Sequence, residues 1–384
     1  MKSLAFLVLI ALFVPALAIL PAHAAPALAV QVVYLENNNV ITTYDVNPTT
    51  GKMTPVGHPL TIEAAQYLGP ISSLPNGHFI YILWQDANRE NHVSVYATNS
   101  WGVPNRSPLQ TIGSTRLGRF EVDPDGKFAY ALMGWIDAKG ELNSNIRLFT
   151  IDSGSGKLTE SKQIQAHYGP DYYYSADFYG FNSSGSKLYD DYSFSFDHES
   201  ASIYSYHPVD PKTGKLKPDV TIFKTSDYYS GDNVTISDKL LAQTFASCCD
   251  AYVNIYNNPP KYQNGQYVPL IHCTSSMLPQ CATAEQSIVD PSSKNLFMPP
   301  LQSGDTAVAH IDLTNSVLTQ TATIPGWVQV IFSSYSGLLY AANWGYQSNS
   351  TITSYLFDPG TGTLTEGDQL VLQGQALYPA RRTR

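Results

Sequence analysis

Charge is what this sequence has least of. Only 14% of its residues are Asp, Glu, Lys or Arg, and the balance is acidic, with a net charge of −9 at neutral pH. Nucleic acids and anionic membranes are recognised through clustered cations, so this composition argues against both as partners. Apolar runs are also scarce. After Leu20 no segment approaches the ~20 residues that cross a bilayer as a helix. Nor does any stretch carry convincing helical periodicity or a complete metal or cofactor motif. The nearest approach is "SGSGKLT" at Ser153–Thr159, but Ile151 stands where a phosphate-binding loop needs its first Gly, and Leu158 follows the Lys instead of Ser or Thr. No cofactor and no metal are therefore expected. Cysteine is limited to four residues, all between 248 and 281.

The single long apolar run lies at the start. Lys2, the stretch Leu4–Leu20 and the small-residue pattern Ala22-His23-Ala24 have the layout of a cleavable secretory signal. Residues 1–24 are read as that leader and residues 25–384 as a mature chain that is secreted or periplasmic, without a membrane span. What is abundant is Tyr, at 26, with Gly at 26 and Pro at 25.

These residues recur in a pattern. "YDVNPTTGKMTPV" from Tyr44 returns as "FTIDSGSGKLTES", "YHPVDPKTGKLKP" and "YLFDPGTGTLTEG". Seven copies can be anchored at Tyr44, Tyr96, Phe149, Tyr206, Tyr256, His310 and Tyr355, about 45–57 residues apart, with copies two, five and six degenerate. Each alternates apolar and polar residues, crosses a turn whose Gly supplies positive φ, and resumes as a strand. A second strand–turn–strand motif is interleaved six times, as in "VDPDGKFAYAL" and "FSSYSGLLYAA". Four strands per period and seven periods predict an all-β fold, a seven-bladed β-propeller of four-stranded antiparallel blades. The missing seventh copy of the second motif falls past the last residue. Gln375–Arg384 is therefore expected to form the innermost strand of the first blade, beside "VQVVYLE", so that the two ends close the ring within one blade.

The recurring turns share one face of such a ring. The loops that vary in length lie on the other, around the mouth of the central channel. The repeats resemble the lactonase family of seven-bladed propellers and the related "YVTN" repeat proteins. That resemblance implies this fold and, in part of the family, hydrolysis or formation of sugar-acid and muconate lactones. It also implies a Gly-Pro-Arg-His stretch leading into an inner strand. Here the corresponding positions read Gly69-Pro70-Ile71-Ser72 and Gly169-Pro170-Asp171-Tyr172, without Arg or His.

Lactone opening needs a base to activate water and a cation or donor for the oxyanion. The variable-face candidates are His167 and Asp171 as base, with Arg116 and Arg119 as cations. Asp190, Asp191, Asp197, His198 and Glu199 read as a solvated acidic loop. Tyr172, Tyr173 and Tyr174, with Trp84, Trp135, Trp327 and Trp344, are candidates to line a ligand-binding mouth through their ring faces. The leading expectation is a monomeric module that binds a small molecule, sugar-like or a lactone, or a protein at this mouth. The alternative is a divergent lactonase of the 6-phosphogluconolactonase type. For the cysteines, two disulfides are expected to pair Cys248 and Cys249 with Cys273 and Cys281, because a bond between adjacent cysteines is strained.

Overall fold

Seven four-stranded antiparallel sheets follow one another along the chain. The computed structural model describes residues 31–381 except 38, 115–116, 137–141, 169–175, 197–198, 226–232, 247–250, 283–286, 301–303, 327, 333–336, 344–349 and 373–375. In blades two to seven the strands run in sequence order from the channel outward. Blade one differs: its outer three strands are Gln31–Asn37, Val40–Val46 and Met53–Thr61, and its innermost is Ala376–Arg381. Gln31 lies opposite Arg381 and Glu36 opposite Ala376, so the two ends of the described chain pair in one sheet. Among the described residues the only helical element is a 3-10 turn, Pro279–Ala282.

Local turn chemistry explains the repeats. In the turn between the first two strands of blade three, Asp123 Oδ1 accepts the N–H groups of Lys127 (2.7 Å) and Phe128 (2.9 Å). Asp290 does the same in blade six for Lys294 and Asn295. Between the third and fourth strands, Asn47, Asp152, Asp210, Asp312 and Asp358 each accept backbone N–H groups two or three residues ahead. Such short carboxylate and amide side chains favour turns for this reason.

The turn glycine has a second duty. Gly156 has φ +69°, and a Cβ there would stand 2.5 Å from the Phe79 ring of the preceding blade; Gly214 has the same relation to Phe128. Close approach lets the preceding blade reach the turn. Tyr34, Tyr81 and Tyr130, each on the second strand of its blade, donate their hydroxyls to the carbonyls of Gly102, Gly156 and Gly214 on the next blade, at 2.6–2.9 Å. At the blade-four junction Tyr189 Oη accepts from Asn258 Nδ2, and at the last two junctions Thr321 and Ser354 bond to the carbonyls of Gly362 and Gly51. The blade-five position is Ala242, which has no hydroxyl. Beneath these latches, each of the seven junctions holds its own buried apolar cluster.

Blade five breaks the pattern. A two-stranded hairpin, Lys261–Gln263 with Gln266–Val268, replaces the glycine turn, and the outermost strand shrinks to three residues, Ile271–Cys273. Its pairing covers only Val253, Asn254 and Ile255.

Candidate functional site

The variable face carries the connections between blades and between the second and third strands of each blade. Arg116, Asp171, Tyr172–Tyr174, Trp327, Trp344, Cys248 and Cys249 lie outside the described residues, as do Asp197 and His198. Arg119 is exposed on the innermost strand of blade three, Leu117–Val122. His167 is on the outermost strand of that blade, Leu158–Tyr168, opposite Asn145. Three strand spacings separate the two backbones, about 14 Å. Trp135 pairs with Asn143 near the variable-face end of the second strand. Trp84 is 8% exposed and packs between blades one and two, its Nε1–H donating to Ser94 Oγ at 2.9 Å. Its ring stacks on His92, with centroids 4.2 Å apart.

His92 belongs to a polar group on the variable face of blade two. The hairpin from Gln85 to Asn91 turns on Asp86, whose Oδ1 accepts the N–H groups of Asn88 and Glu90. Its Oδ2 lies 3.4 Å from His92 Nε2. Ligand atoms of Asp86, Glu90 and His92 all fall within 4.8 Å of one another, the one set among the described residues with the spacing of a cation site. The Glu90 backbone hydrogen bond and the His92 contact hold the Asp86 carboxyl below its usual value. One blade away, Glu36 is 3% exposed at the variable-face end of its strand, and burial pushes its carboxyl up to about 7.

A second concavity lies on the side wall, where blades four and five meet. It encloses about 860 Å³ between the outer strand Val220–Lys224, the second and third strands of blade five and the inserted hairpin. Phe245 and Tyr252 stack with centroids 4.8 Å apart, and Tyr267 lies 4.5 Å from Phe223. Between them sits a hydrogen-bonded amide pair: Asn254 Nδ2 and Tyr256 Oη both donate to Gln243 Oε1, at 3.2 and 2.8 Å. Asn254 Oδ1, an amide oxygen that can only accept from the ring nitrogen, in turn lies 2.7 Å from His272 Nδ1.

No family model matches the sequence, and no curated protein resembles it closely enough to be matched. Solved structures do. A Bacteroides uniformis protein provisionally named a 6-phosphogluconolactonase superposes with a TM-score of 0.57 at 15% identity, over 92% of this chain and all of the other. The Pseudomonas aeruginosa periplasmic gluconolactonase PpgL gives 0.58 at 12% identity, again over 92% of this chain and all of the other. This chain has the fold of a lactonase-like propeller.

Two features of the structure correct the sequence reading. Cys273 is bonded to Cys281, not to Cys248 or Cys249. The intervening segment turns on the Thr274 carbonyl, which accepts the N–H groups of Met277 and Leu278, and so brings the two Cα atoms to 5.8 Å. Nor are Asp190 and Asp191 in a loop. Both lie in the second strand of blade four, Lys187–Phe196, and Asp190 is wholly buried toward blade three. Ser205 Oγ donates to Asp190 Oδ1 at 2.7 Å, and His207 Nε2 lies 3.3 Å from Oδ2. Burial works to lower the His207 pKa, but hydrogen bonding and charge from Asp190 outweigh it, and the net shift is upward. This pair sits nearer the turn face and is packing, remote from the mouth. Its signal in the sequence was the alternation of "KLYDDYSFSF" with "ASIYSYH", which puts Asp190, Ser205 and His207 on one side of a sheet.

Proposed function

We propose that the protein is an exported ligand-binding propeller that takes a small polyhydroxylated acid or lactone at the variable face of its channel. The observation that carries this reading is the polar rim of blades two and three: Asp86, Glu90 and His92 gathered on one hairpin, and Arg119 exposed on the neighbouring innermost strand. Hydroxyl-bearing anions need such a mixture of acceptors and a cation. Export is supported by the leader-like sequence of residues 1–24. Binding is favoured over turnover because His167 and Arg119 are separated by the width of a blade, and a base and a cation must converge on one ester to open it.

Calorimetric titration with gluconate and with glucono-lactone tests this. Saturable binding of either, weakened about tenfold or more by Arg119→Ala, is expected. Lactone consumption faster than in buffer would instead favour a second reading, hydrolysis. One observation supports it: a carboxyl at Glu36 that stays protonated to about pH 7 suits general acid–base chemistry at neutral pH. Loss of that turnover in Glu36→Gln would then assign the group.

A further inference from the structure

We infer that the side-wall cleft between blades four and five is a second binding site, and that its ligand is a short uncharged oligosaccharide. The cleft stands where the repeat is broken. Blades one, three, four and seven join their third and fourth strands through a tight turn with a positive-φ Gly, and blade six through one with Ser316 at positive φ. Blade five instead inserts a hairpin and shortens its last strand to three residues. The face so uncovered carries a cross-strand pair of amides, Gln243 and Asn254, each 7% exposed. No other blade places two amides at that register, where blade two, for example, pairs Ile82 with Ser94. Amides at a packing surface are costly unless their hydrogen bonds are arranged, and here Tyr256 and His272 fix their orientation. A rigid set of donors and acceptors of this kind suits a ligand that presents hydroxyls.

The rest of the wall has the other property a sugar requires, flat rings against which C–H faces can lie. Phe245 and Tyr252 form a stacked platform, and Tyr262 on the hairpin is 62% exposed. Charge selects against ionic ligands: Lys224 is the one charged residue on the described wall, so neither a phosphate cluster nor an acidic trap is present. A volume of about 860 Å³ lies in the upper part of the range of small-molecule sites, roughly 300–1,000 Å³, and suits several linked sugar rings better than one. An extended peptide added to the edge of Val220–Lys224 fits less well. The Lys224 N–H that such a strand would need already donates to Tyr267 Oη at 3.1 Å, which ties the hairpin across the end of that edge.

The test is calorimetry and saturation-transfer NMR on the intact, oxidised protein with malto-, cello-, xylo- and chito-tetraose. At least one should bind saturably, and Tyr262→Ala and Phe245→Ala should each weaken it about tenfold. Arg119→Ala should leave it unchanged, which separates this site from the channel mouth. Tyr262 is exposed, so its variant should keep the wild-type melting curve. The proposal fails if no tetrasaccharide saturates into the millimolar range, if extended peptides bind here while sugars do not, or if Arg119→Ala removes the sugar signal and Tyr262→Ala spares it.

Discussion

Among single residues, Glu36 and His207 give the protein its most distinctive pH response. Glu36 is held protonated to about 7 by burial, while in the unfolded chain it ionises from its ordinary value of 4.5. The folded state therefore binds the extra proton between those values, and stability falls as pH rises across that window, by up to about 3 kcal/mol. His207 acts in the same sense. Its folded pKa is raised, so its contribution is complete below about 6.5 and is lost as pH rises through the folded value. The turn carboxylates oppose this at low pH: hydrogen bonds lower Asp152, Asp210, Asp312 and Asp358, whose contribution is present above about 4 and lost as pH falls through their folded values. Thermal melting should thus be highest in mild acid. Glu36→Gln should raise the midpoint at pH 8 while leaving it near wild type at pH 4; equal effects at both would show that Glu36 is not held neutral.

For the elements, the turn glycine and the tyrosine latch account for the repetition that made the fold legible. "TTG", "GSG" and "KTG" recur because the position needs positive φ, has no room for a Cβ and exposes a carbonyl to the previous blade. Gly156→Ala should destabilise by more than about 2 kcal/mol, from backbone strain and overlap with Phe79 together. Gly154→Ala, two residues away, meets only the Asp152 carboxylate at 3.6 Å and should change little. Comparable losses in urea unfolding would refute this account of the motif. Tyr81→Phe should cost about 1 kcal/mol, the usual worth of one buried hydrogen bond. The cysteines show what repetition cannot reveal. Spacing says nothing about a loop that doubles back on a single carbonyl, so Cys273 was expected to seek Cys248 or Cys249 when its partner lay eight residues on. That bond fastens the segment leading to blade six, at the junction where Ala242 replaces the latching tyrosine.

On the scale of the whole molecule, the sequence revealed the number of blades, the order of their strands and the face on which the variable loops lie. Each follows from turn chemistry repeated at a fixed period. The cleft between blades four and five was not legible, for the converse reason. It is built from departures from the period, and a degenerate repeat at Tyr256 looks the same in sequence whether it is decay or a site. Asp190 was hidden similarly, because its partner His207 is seventeen residues away in sequence and adjacent only once two strands pair. A cleft shared by two blades also makes binding a property of the closed ring. Saccharide added during thermal melting should raise the midpoint of the global transition, not of a local one; a shift confined to a blade-five probe would indicate local ordering only.

The pairing of Ala376–Arg381 with Gln31–Asn37 has a further consequence, for refolding at high concentration. A chain that has formed six blades holds a three-stranded first blade with an open inner edge, and the strand that fits it is identical in every other copy. Two molecules can therefore trade their last strands, each completing the other. Refolding from dilute urea should return monomer, while refolding at high protein concentration should leave a dimer that persists on dilution and that a chain ending before Ala376 cannot form.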